Sequence, residues 1–159
     1  MAPFDFAAID HERFMCEALR EAELAAHSGE RPIGAVVMHQ NQIVGKGRAR
    51  HRERLSEIAH AEMNALLAAE QYIHAHTHNG VVLYTTVEPC VMCLGAIVMS
   101  DIEHVVFALP DRWIKPDQML QIPYVRHHIA HYLGGVLEGE SAALWEKTRP
   151  DELRLIRGV

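Results

Sequence analysis

The chain opens with a stretch whose hydrophobic positions follow the period of an α-helix. The pattern covers residues 10–27, and Gly29 supplies a stop signal behind it. Charged residues alternate with the apolar ones, so we predict an amphipathic first helix that buries one stripe against a core. The apolar positions are Phe14, Leu19, Ala22 and Ala26.

Two short runs rich in β-branched residues follow, at 33–39 and 42–45. Only Gln40 and Asn41 separate them. Two such runs joined by a short polar pair predict a hairpin of antiparallel strands. A second helix is then expected to begin near His60 and to end at a polar stretch, residues 74–80. It is predicted to carry Met63, Leu66 and Leu67 inward.

The centre of the chain reads as strand, helix and strand. Residues 81–87 and 104–108 predict buried strands, and residues 89–100 predict a helix between them. Pro89 suits the first turn of that helix, because its missing N–H costs nothing there. The succession predicts a right-handed crossover between parallel strands. Residues 91–99 are apolar nearly all round, so we expect this helix in the core or in a homodimer interface.

The signal weakens after Pro110, where a last strand near 129–137 and a C-terminal helix from about Ser141 are predicted. No repeat or low-complexity linker divides the chain, so residues 1–159 are predicted to form a single domain. The predicted fold class is α/β, with three α/β/α layers and a central mixed sheet of about five strands.

Composition narrows the class of protein. The 159 residues are 49% hydrophobic and 23% charged, which suits one globular domain. The formal net charge is −6 and the basic residues are scattered, so nucleic acid is disfavoured as a partner. The opening residues 1–6 lack a signal-sequence pattern, and no apolar run is long enough to span a membrane. We therefore expect a cytoplasmic protein.

Candidate chemistry lies in two short motifs. His60 and Glu62 form an H-x-E at the start of one predicted helix, and Cys90 and Cys93 form a P-C-x-x-C at the start of another. Two cysteines three positions apart can hold one metal ion, and a helix N-terminus favours their thiolate forms. His60 can add a third ligand. We therefore expect one Zn²⁺ per chain, with a bound water or hydroxide at the fourth position.

Glu62 turns this metal site into a candidate for hydrolytic deamination. Such a reaction needs a group that takes a proton from water and returns it to the substrate. In a regular helix, however, His60 and Glu62 would point roughly 200° apart. We therefore expect the pair to lie in the first turn, where the Glu62 side chain can reach the metal.

Two other interpretations of the cysteines are open. A structural zinc site needs a fourth protein ligand, for which Cys16 is the spare thiol. We expect Cys16 instead to be buried and inert among its apolar neighbours. A thioredoxin-like redox pair would not require the upstream H-x-E.

Taken together, the motifs resemble the cytidine deaminase-like superfamily. H-x-E with P-C-x-x-C is the zinc deaminase signature. The blocks at 31–37, 59–62 and 86–96 are similar to the branch of tRNA adenosine deaminases, guanine deaminases and fungal-type cytosine deaminases. The resemblance implies that the zinc ligands are His60, Cys90 and Cys93, and that Glu62 is the catalytic proton shuttle.

Substrate contacts also follow from the resemblance. It implies contacts from Ala61 and from the backbone around Glu88 and Pro89, and it places Trp113 in a loop that can close over the substrate. Many members of the branch carry an asparagine whose amide contacts the substrate ring, at the position that Ala49 occupies here.

The remaining differences from the family are in segments that the tRNA deaminases carry. Residues 56–58 and 109–117 do not match the corresponding segments of the tRNA deaminases. We therefore expect a zinc-dependent hydrolytic deaminase that releases ammonia from a nucleobase, a nucleoside or a related amino-heterocycle, acting as a homodimer. The alternatives are tRNA adenosine deamination at the wobble position and a catalytically silent, zinc-stabilised interaction module.

Overall fold

A computed structural model describes residues 4–159. Met1, Ala2 and Pro3, part of the opening segment considered above, lie outside the described residues. The strands are β1 (Gly34–His39), β2 (Gln42–Arg48), β3 (Val82–Val87), β4 (His104–Leu109) and β5 (His131–Leu133). The α-helices are α1 (His11–His27), α2 (His51–Arg54), α3 (Ala61–Ala68), α4 (Glu70–Ala75), α5 (Val91–Met99), α6 (Pro123–His128), α7 (Glu138–Thr148) and α8 (Pro150–Arg157). Short 3₁₀ turns occupy Phe6–Ala8 and Pro116–Gln121.

The five strands form one mixed sheet in the order β2-β1-β3-β4-β5. Strand β1 is antiparallel to β2 and β3, whereas β4 is parallel to β3 and β5. The predicted hairpin and the predicted parallel crossover are both confirmed. At the hairpin turn, Gln40 and Asn41 have φ angles of 51° and 61°. Positive φ at both central residues is typical of the turn that matches strand twist.

Helices cover both faces of the sheet centre, so β1, β3 and β4 are buried at every position, whereas the edge strands β2 and β5 are partly exposed. Side chains of β1 alternate between the faces: Ala35 and Val37 pack in one core with Ala61 and Ala65 of α3. Val36 and Met38 pack in the other, with Phe14, Met15 and Ala18 of α1. Helix α7 covers β4 beside α1. The predicted three-layer α/β/α fold is therefore confirmed.

Glycines of β2 bring α3 unusually close to the sheet. A Cβ atom at Gly47 would lie 2.2 Å from the backbone nitrogen of Ala65 and 2.3 Å from the carbonyl oxygen of Ala61. At Gly45 it would lie 2.7 Å from the Ala69 side chain. Because real Cβ atoms do not approach so closely, the absence of side chains here sets the depth of α3 and of the His60 loop before it.

Several local predictions were wrong. Cys16 is exposed, because α1 turns that position toward solvent. Leu67 is 55% exposed, since α3 buries Ala61, Glu62, Ala65 and Leu66 on its inner face instead. Pro89 precedes α5, whose N-cap is Cys90.

Further differences concern the later elements. Helix α5 is buried in the core on one side, whereas Val91 is 54% and Met99 70% exposed on the other, so the homodimer interface stays a prediction. The last strand is only three residues long, and the C-terminal helix is divided at Arg149, immediately before Pro150. Within residues 4–159, no helix is both long and apolar enough to cross a bilayer.

Candidate metal centre and active site

The H-x-E motif lies where the backbone changes from extended to helical. His60 is the N-cap of α3, with φ −70° and ψ 156°. Since His60 is extended, the roughly 200° separation of a regular helix does not apply to its pairing with Glu62. Asn64 holds this corner, because its side-chain amide donates to the carbonyl oxygen of Arg48 at 2.8 Å. The side chains of His60 and Glu62 therefore point toward the same cavity.

The C-x-x-C motif arrives from the start of α5. Cys90 is the N-cap and Cys93 lies in the first turn, buried. The His60 Nδ1 atom lies 3.6 Å from Cys90 Sγ and 3.5 Å from Cys93 Sγ. All three ligand atoms fall within 4.8 Å of one another. Strand β3 and the turn after it deliver this motif beside the start of α3.

These distances suit a tetrahedral zinc ion. With metal bonds of about 2.3 Å to sulfur and about 2.0 Å to nitrogen, tetrahedral geometry separates the two atoms by about 3.5 Å. Across the part of the chain that the structure describes, the cluster contains three ligands, and Cys16 is not among them. His60, Cys90 and Cys93 are therefore positioned to bind one zinc ion and to leave a coordination position open, contrary to a closed structural site.

The electrostatics of the cysteine pair favour a metal cation. The hydrogen bond from Cys93 has the largest effect on the pKa of the Cys90 thiol and lowers it. Burial raises this pKa and the hydrogen bond with His60 lowers it again, so that the pKa of Cys90 falls to about 4. The same bond and burial raise the pKa of Cys93. The hydrogen bond with Cys90 raises the pKa of His60, against the effect of burial. The Cys90 thiol therefore loses its proton readily. A divalent ion that binds between the three ligand atoms can displace the protons that remain on the others.

Glu62 lies beside this cluster and is 3% exposed. Its Oε1 accepts a hydrogen bond from Thr85 Oγ1 at 3.0 Å, and its Oε2 lies 3.5 Å from Cys93 Sγ. Burial raises the pKa of Glu62 above the ordinary carboxyl value. A buried carboxylate that is held by hydrogen bonds from Thr85 and Cys93 and has a raised pKa is suited to accept and return a proton.

A cavity of about 300 Å³ opens from the cluster. His60, Glu62 and Cys90 line one end of it. The rest of the wall is largely apolar and comes from distant parts of the sequence. It includes Ile33, Val87, Trp113, Trp145, Leu155 and Ile156.

Ion pairs of Glu152 fix helix α8 against this wall. Glu152 accepts from Arg31 Nε at 2.7 Å and from Arg149 Nη1 at 2.6 Å. Arg149 also donates to the carbonyl oxygen of Gly29 at 3.0 Å. Burial raises and the two arginines lower the pKa of Glu152, and the net direction is downward. Glu152 therefore remains ionised and links α8 to the loop before β1.

The structure places some of the expected substrate-contact residues in the cavity wall and others outside it. Trp113 lines the cavity and is 63% exposed, so its ring is free to approach a ligand. Glu88 lines the cavity too, but its carboxylate already accepts from the Asp111 backbone and from Tyr132 Oη. Ala61 and Pro89 are buried and are not part of the cavity wall. Ala49, at the position of the family asparagine, is 1% exposed and is not part of the cavity wall.

Sequence reasoning missed four residues that shape the site. Thr85 orients Glu62, and Asp111 Oδ1 accepts from the backbone N–H groups of Trp113 and Ile114 at 2.9 Å each. Trp145 and Glu152 come from the two C-terminal helices. The Asp-Arg-Trp sequence carried a turn signal for Asp111. No local pattern linked Thr85 to Glu62, 23 positions earlier, or linked Trp145 and Glu152 to cysteines more than about 50 positions earlier.

Comparisons with known proteins agree with this geometry. Residues 8–109 match the family described as the cytidine and deoxycytidylate deaminase zinc-binding region. The tRNA-specific adenosine deaminase of Bacillus subtilis is 36% identical over 136 residues, covering 84% of each chain. A solved structure from a study of A-to-I editing by tRNA:A34 deaminases has a TM-score of 0.72 and 30% identity, covering 83% of this chain and 98% of the other.

A guanine deaminase from Bacillus subtilis is also similar, with a TM-score of 0.58 and 33% identity over 63% of this chain and 64% of its own. The relatives thus act on different substrates, and those that act on tRNA do not support the expectation that nucleic acid is disfavoured. The matched zinc-binding region, residues 8–109, contains the cluster of His60, Cys90 and Cys93. This chain therefore belongs to the cytidine deaminase-like superfamily of zinc-binding, hydrolytic deaminases.

Proposed function

We propose that this protein deaminates a free amino-heterocycle of nucleobase size, replacing the amino group by a carbonyl oxygen from water and releasing ammonia. The size of the cavity and its largely apolar wall carry the proposal. At about 300 Å³ it lies at the lower end of the range for small-molecule sites. Its apolar walls suit a flat ring, and Trp113 offers an aromatic face for stacking.

The residues divide the chemistry between them. His60, Cys90 and Cys93 hold the zinc ion, which when bound lowers the pKa of a coordinated water and so supplies the nucleophile near neutral pH. Glu62 would take one proton from water and deliver it to the ring nitrogen, and would then carry a second proton from the added hydroxyl to the amine, which leaves as ammonia as the carbonyl forms. Thr85 keeps the carboxylate oriented through its 3.0 Å hydrogen bond. The backbone of Glu88, a residue of the cavity wall, would position the leaving amine.

The attachment of α8 supports a small substrate rather than a nucleotide within a folded RNA. Arg31, at the cavity wall, is paired through Nε with Glu152, which offsets part of its positive charge. Leu155 and Ile156 of α8 form part of the same wall. A polynucleotide would gain most of its affinity from unpaired cations along a surface, and the net charge of −6 opposes it.

The test is an ammonia-release screen with purified, zinc-quantified protein. Probes are cytosine, guanine, adenine, their nucleosides, aminated triazines and an anticodon stem-loop RNA that contains adenosine. We expect turnover of at least one free base or triazine and none of the RNA. Glu62→Ala should retain fold and zinc yet lose ammonia release, whereas Glu70→Ala, an exposed carboxylate on α4, should behave as wild type. Unchanged turnover in Glu62→Ala would refute the assignment.

tRNA adenosine deamination is the second candidate, because a tRNA-specific relative matches 84% of this chain. It requires inosine formation in the stem-loop RNA and binding that weakens steeply with salt. Either result would overturn the preference for a free heterocycle. The third candidate, a silent interaction module, requires stoichiometric zinc with no ammonia from any probe.

We further propose that the protein acts as a cytoplasmic homodimer. The exposed apolar residues Val91 and Met99 on α5 support a partner surface. A single domain over residues 1–159 is part of the same proposal. Sedimentation of the zinc-loaded protein should give twice the mass of 17.9 kDa.

A further inference from the structure

Arg31 lies at the rim of the cavity, in the loop between α1 and β1. It lines the cavity together with His60 and Glu62, and among the lining residues that the structure describes it is the one arginine or lysine. The Arg31 side chain is 47% exposed. Its polar end is therefore accessible to a ligand, unlike the enclosed apolar residues of the wall.

Only part of the Arg31 guanidinium is used within the protein. Nε donates to Glu152 Oε2 at 2.7 Å, whereas Nη1 and Nη2 make no hydrogen bond within residues 4–159. A guanidinium has five N–H donors in a planar fork, and the two terminal nitrogens carry four of them. These terminal donors remain available to a ligand.

The ion pair with Glu152 orients Arg31 without cancelling the positive charge at the rim. The Glu152 carboxylate also accepts from Arg149 Nη1 at 2.6 Å, and Arg149 Nη2 donates to the carbonyl oxygen of Gly29 at 3.0 Å. Arg31, Glu152 and Arg149 together carry a net positive charge, because one carboxylate faces two cations. A guanidinium that is already held in this way loses less side-chain freedom when it binds a further acceptor.

The other acidic side chains of the wall are engaged elsewhere. Glu88 accepts from the Asp111 backbone and from Tyr132, and Asp111 accepts from two backbone N–H groups. Glu62 lies at the metal end and accepts from Thr85. An acceptor for the terminal nitrogens at the rim is therefore expected to come from the ligand.

We propose that Arg31 is a specificity-determining residue whose terminal nitrogens donate to an exocyclic oxygen of the substrate, either a ring carbonyl or a carboxylate. The inference rests on the proposed function, because it takes the cavity as the substrate site. The amine-bearing carbon then faces the metal end and the oxygen faces the rim. A guanidinium binds such an oxygen through charge-assisted hydrogen bonds, which are stronger than neutral ones. The substrate class narrows to amino-heterocycles that carry an oxygen acceptor away from the amine.

Three probes with the same ring and the same amine test this inference. 2-Aminopyrimidine has no oxygen, isocytosine adds a ring carbonyl, and 2-aminopyrimidine-4-carboxylate adds a carboxylate. Affinities are measured by calorimetry on zinc-loaded Glu62→Ala protein, which prevents turnover, and each further substitution is made in that protein. We expect isocytosine or the carboxylate to bind at least about tenfold more tightly than 2-aminopyrimidine, the effect of one charge-assisted hydrogen bond.

Arg31→Gln removes the charged fork. We expect it to weaken binding of the preferred oxygen-bearing probe at least about tenfold and to change the affinity for 2-aminopyrimidine less than about twofold, with zinc content unchanged. Arg149→Gln is the matched control, because it removes the other cation from Glu152 and lies outside the cavity wall. It should change the affinities for the three probes by the same factor.

The outcomes separate this inference from the proposed function. Equal losses for all three probes in Arg31→Gln, or the same selective loss in Arg149→Gln, would show that Arg31 acts only by holding α8. If the Glu62→Ala protein does not prefer an oxygen-bearing probe, the inference is wrong even when wild type releases ammonia. If wild type releases no ammonia from any probe, the proposed function fails, whereas a selective loss in Arg31→Gln still supports the oxygen contact.

Arg31→Lys keeps the charge and loses the planar fork, so it decides the question should Arg31→Gln not fold. We expect a smaller selective loss, at least about threefold for the oxygen-bearing probe. An unchanged preference among the three probes in Arg31→Lys would then overturn the inference.

Discussion

The two ends of the cavity are built in different ways. The metal end consists of helix starts that follow each other closely in sequence, with every ligand between His60 and Cys93. The opposite end combines Ile33, the loop at Trp113 and the helices α7 and α8, so its parts are separated by up to 123 positions, from Ile33 to Ile156. Short motifs on a rigid sheet hold the chemistry, whereas long-range packing and one charged link shape the space for the substrate. The family comparison reflects this division, because the matched region ends at residue 109.

The largest effect should come from removing a ligand at the metal end. Cys93→Ala leaves two ligands, so we expect loss of stoichiometric zinc and a fall in kcat/KM on the order of 10³-fold or more. Cys16→Ala removes an exposed thiol and should change neither quantity. Zinc analysis and ammonia release give both numbers. A Cys93→Ala protein with full zinc content would show that the cluster is not the binding site.

Gly47→Ala tests whether the sheet positions the metal end. The added Cβ would lie 2.2 Å from the Ala65 nitrogen, so α3 must move, at a cost of about 1–3 kcal/mol in the free energy of unfolding. We expect a melting temperature lower by roughly 2–10 °C and weaker zinc binding. Gly139→Ala, on α7 with no atom within 4 Å of the new Cβ, should instead stabilise the protein slightly. Equal effects of the two substitutions would contradict this account of the close approach.

Thr85→Val tests the orientation of Glu62 without disturbing the ligands. It preserves shape and removes the 3.0 Å hydrogen bond, so we expect kcat to fall about tenfold with zinc content unchanged. The neighbouring Thr86→Val is the control. Its hydroxyl accepts from the Gly34 backbone and points away from Glu62, so the substitution should lower stability more than kcat. Identical kcat values for wild type and Thr85→Val would exclude a positioning role.

The smallest effect should come from the link at the substrate end. Glu152→Ala frees Arg31 and Arg149 and loosens α8, so we expect KM to rise about two- to fivefold while kcat and zinc content hold. Glu146→Ala, an exposed carboxylate on α7, should leave KM unchanged. Steady-state kinetics on the preferred probe separates the two constants. A lower kcat with unchanged KM would place Glu152 in the metal end rather than in the substrate wall.

The errors of sequence reasoning follow the same division. At the metal end the helix starts, the parallel crossover and the cluster were predicted, because each depends on a local signal: an extended residue before a helix, a C-x-x-C, a buried strand. Cys16 and Leu67 were misplaced, since apolar neighbours do not reveal which side of a helix meets the sheet. Trp145 passed unnoticed because a tryptophan in a helical pattern resembles any core residue.

By itself, the sequence determined the three-layer architecture and the zinc-binding motifs, because hydrophobic period, turn residues and ligand spacing act over a few positions. Only the tertiary structure decided which side chains complete the cavity. That choice depends on the division of the C-terminal segment before Pro150 and on the attachment of Glu152 to Arg31, more than a hundred residues away. Contacts over such a distance arise from the packing of the whole domain, and no local pattern of residues encodes them.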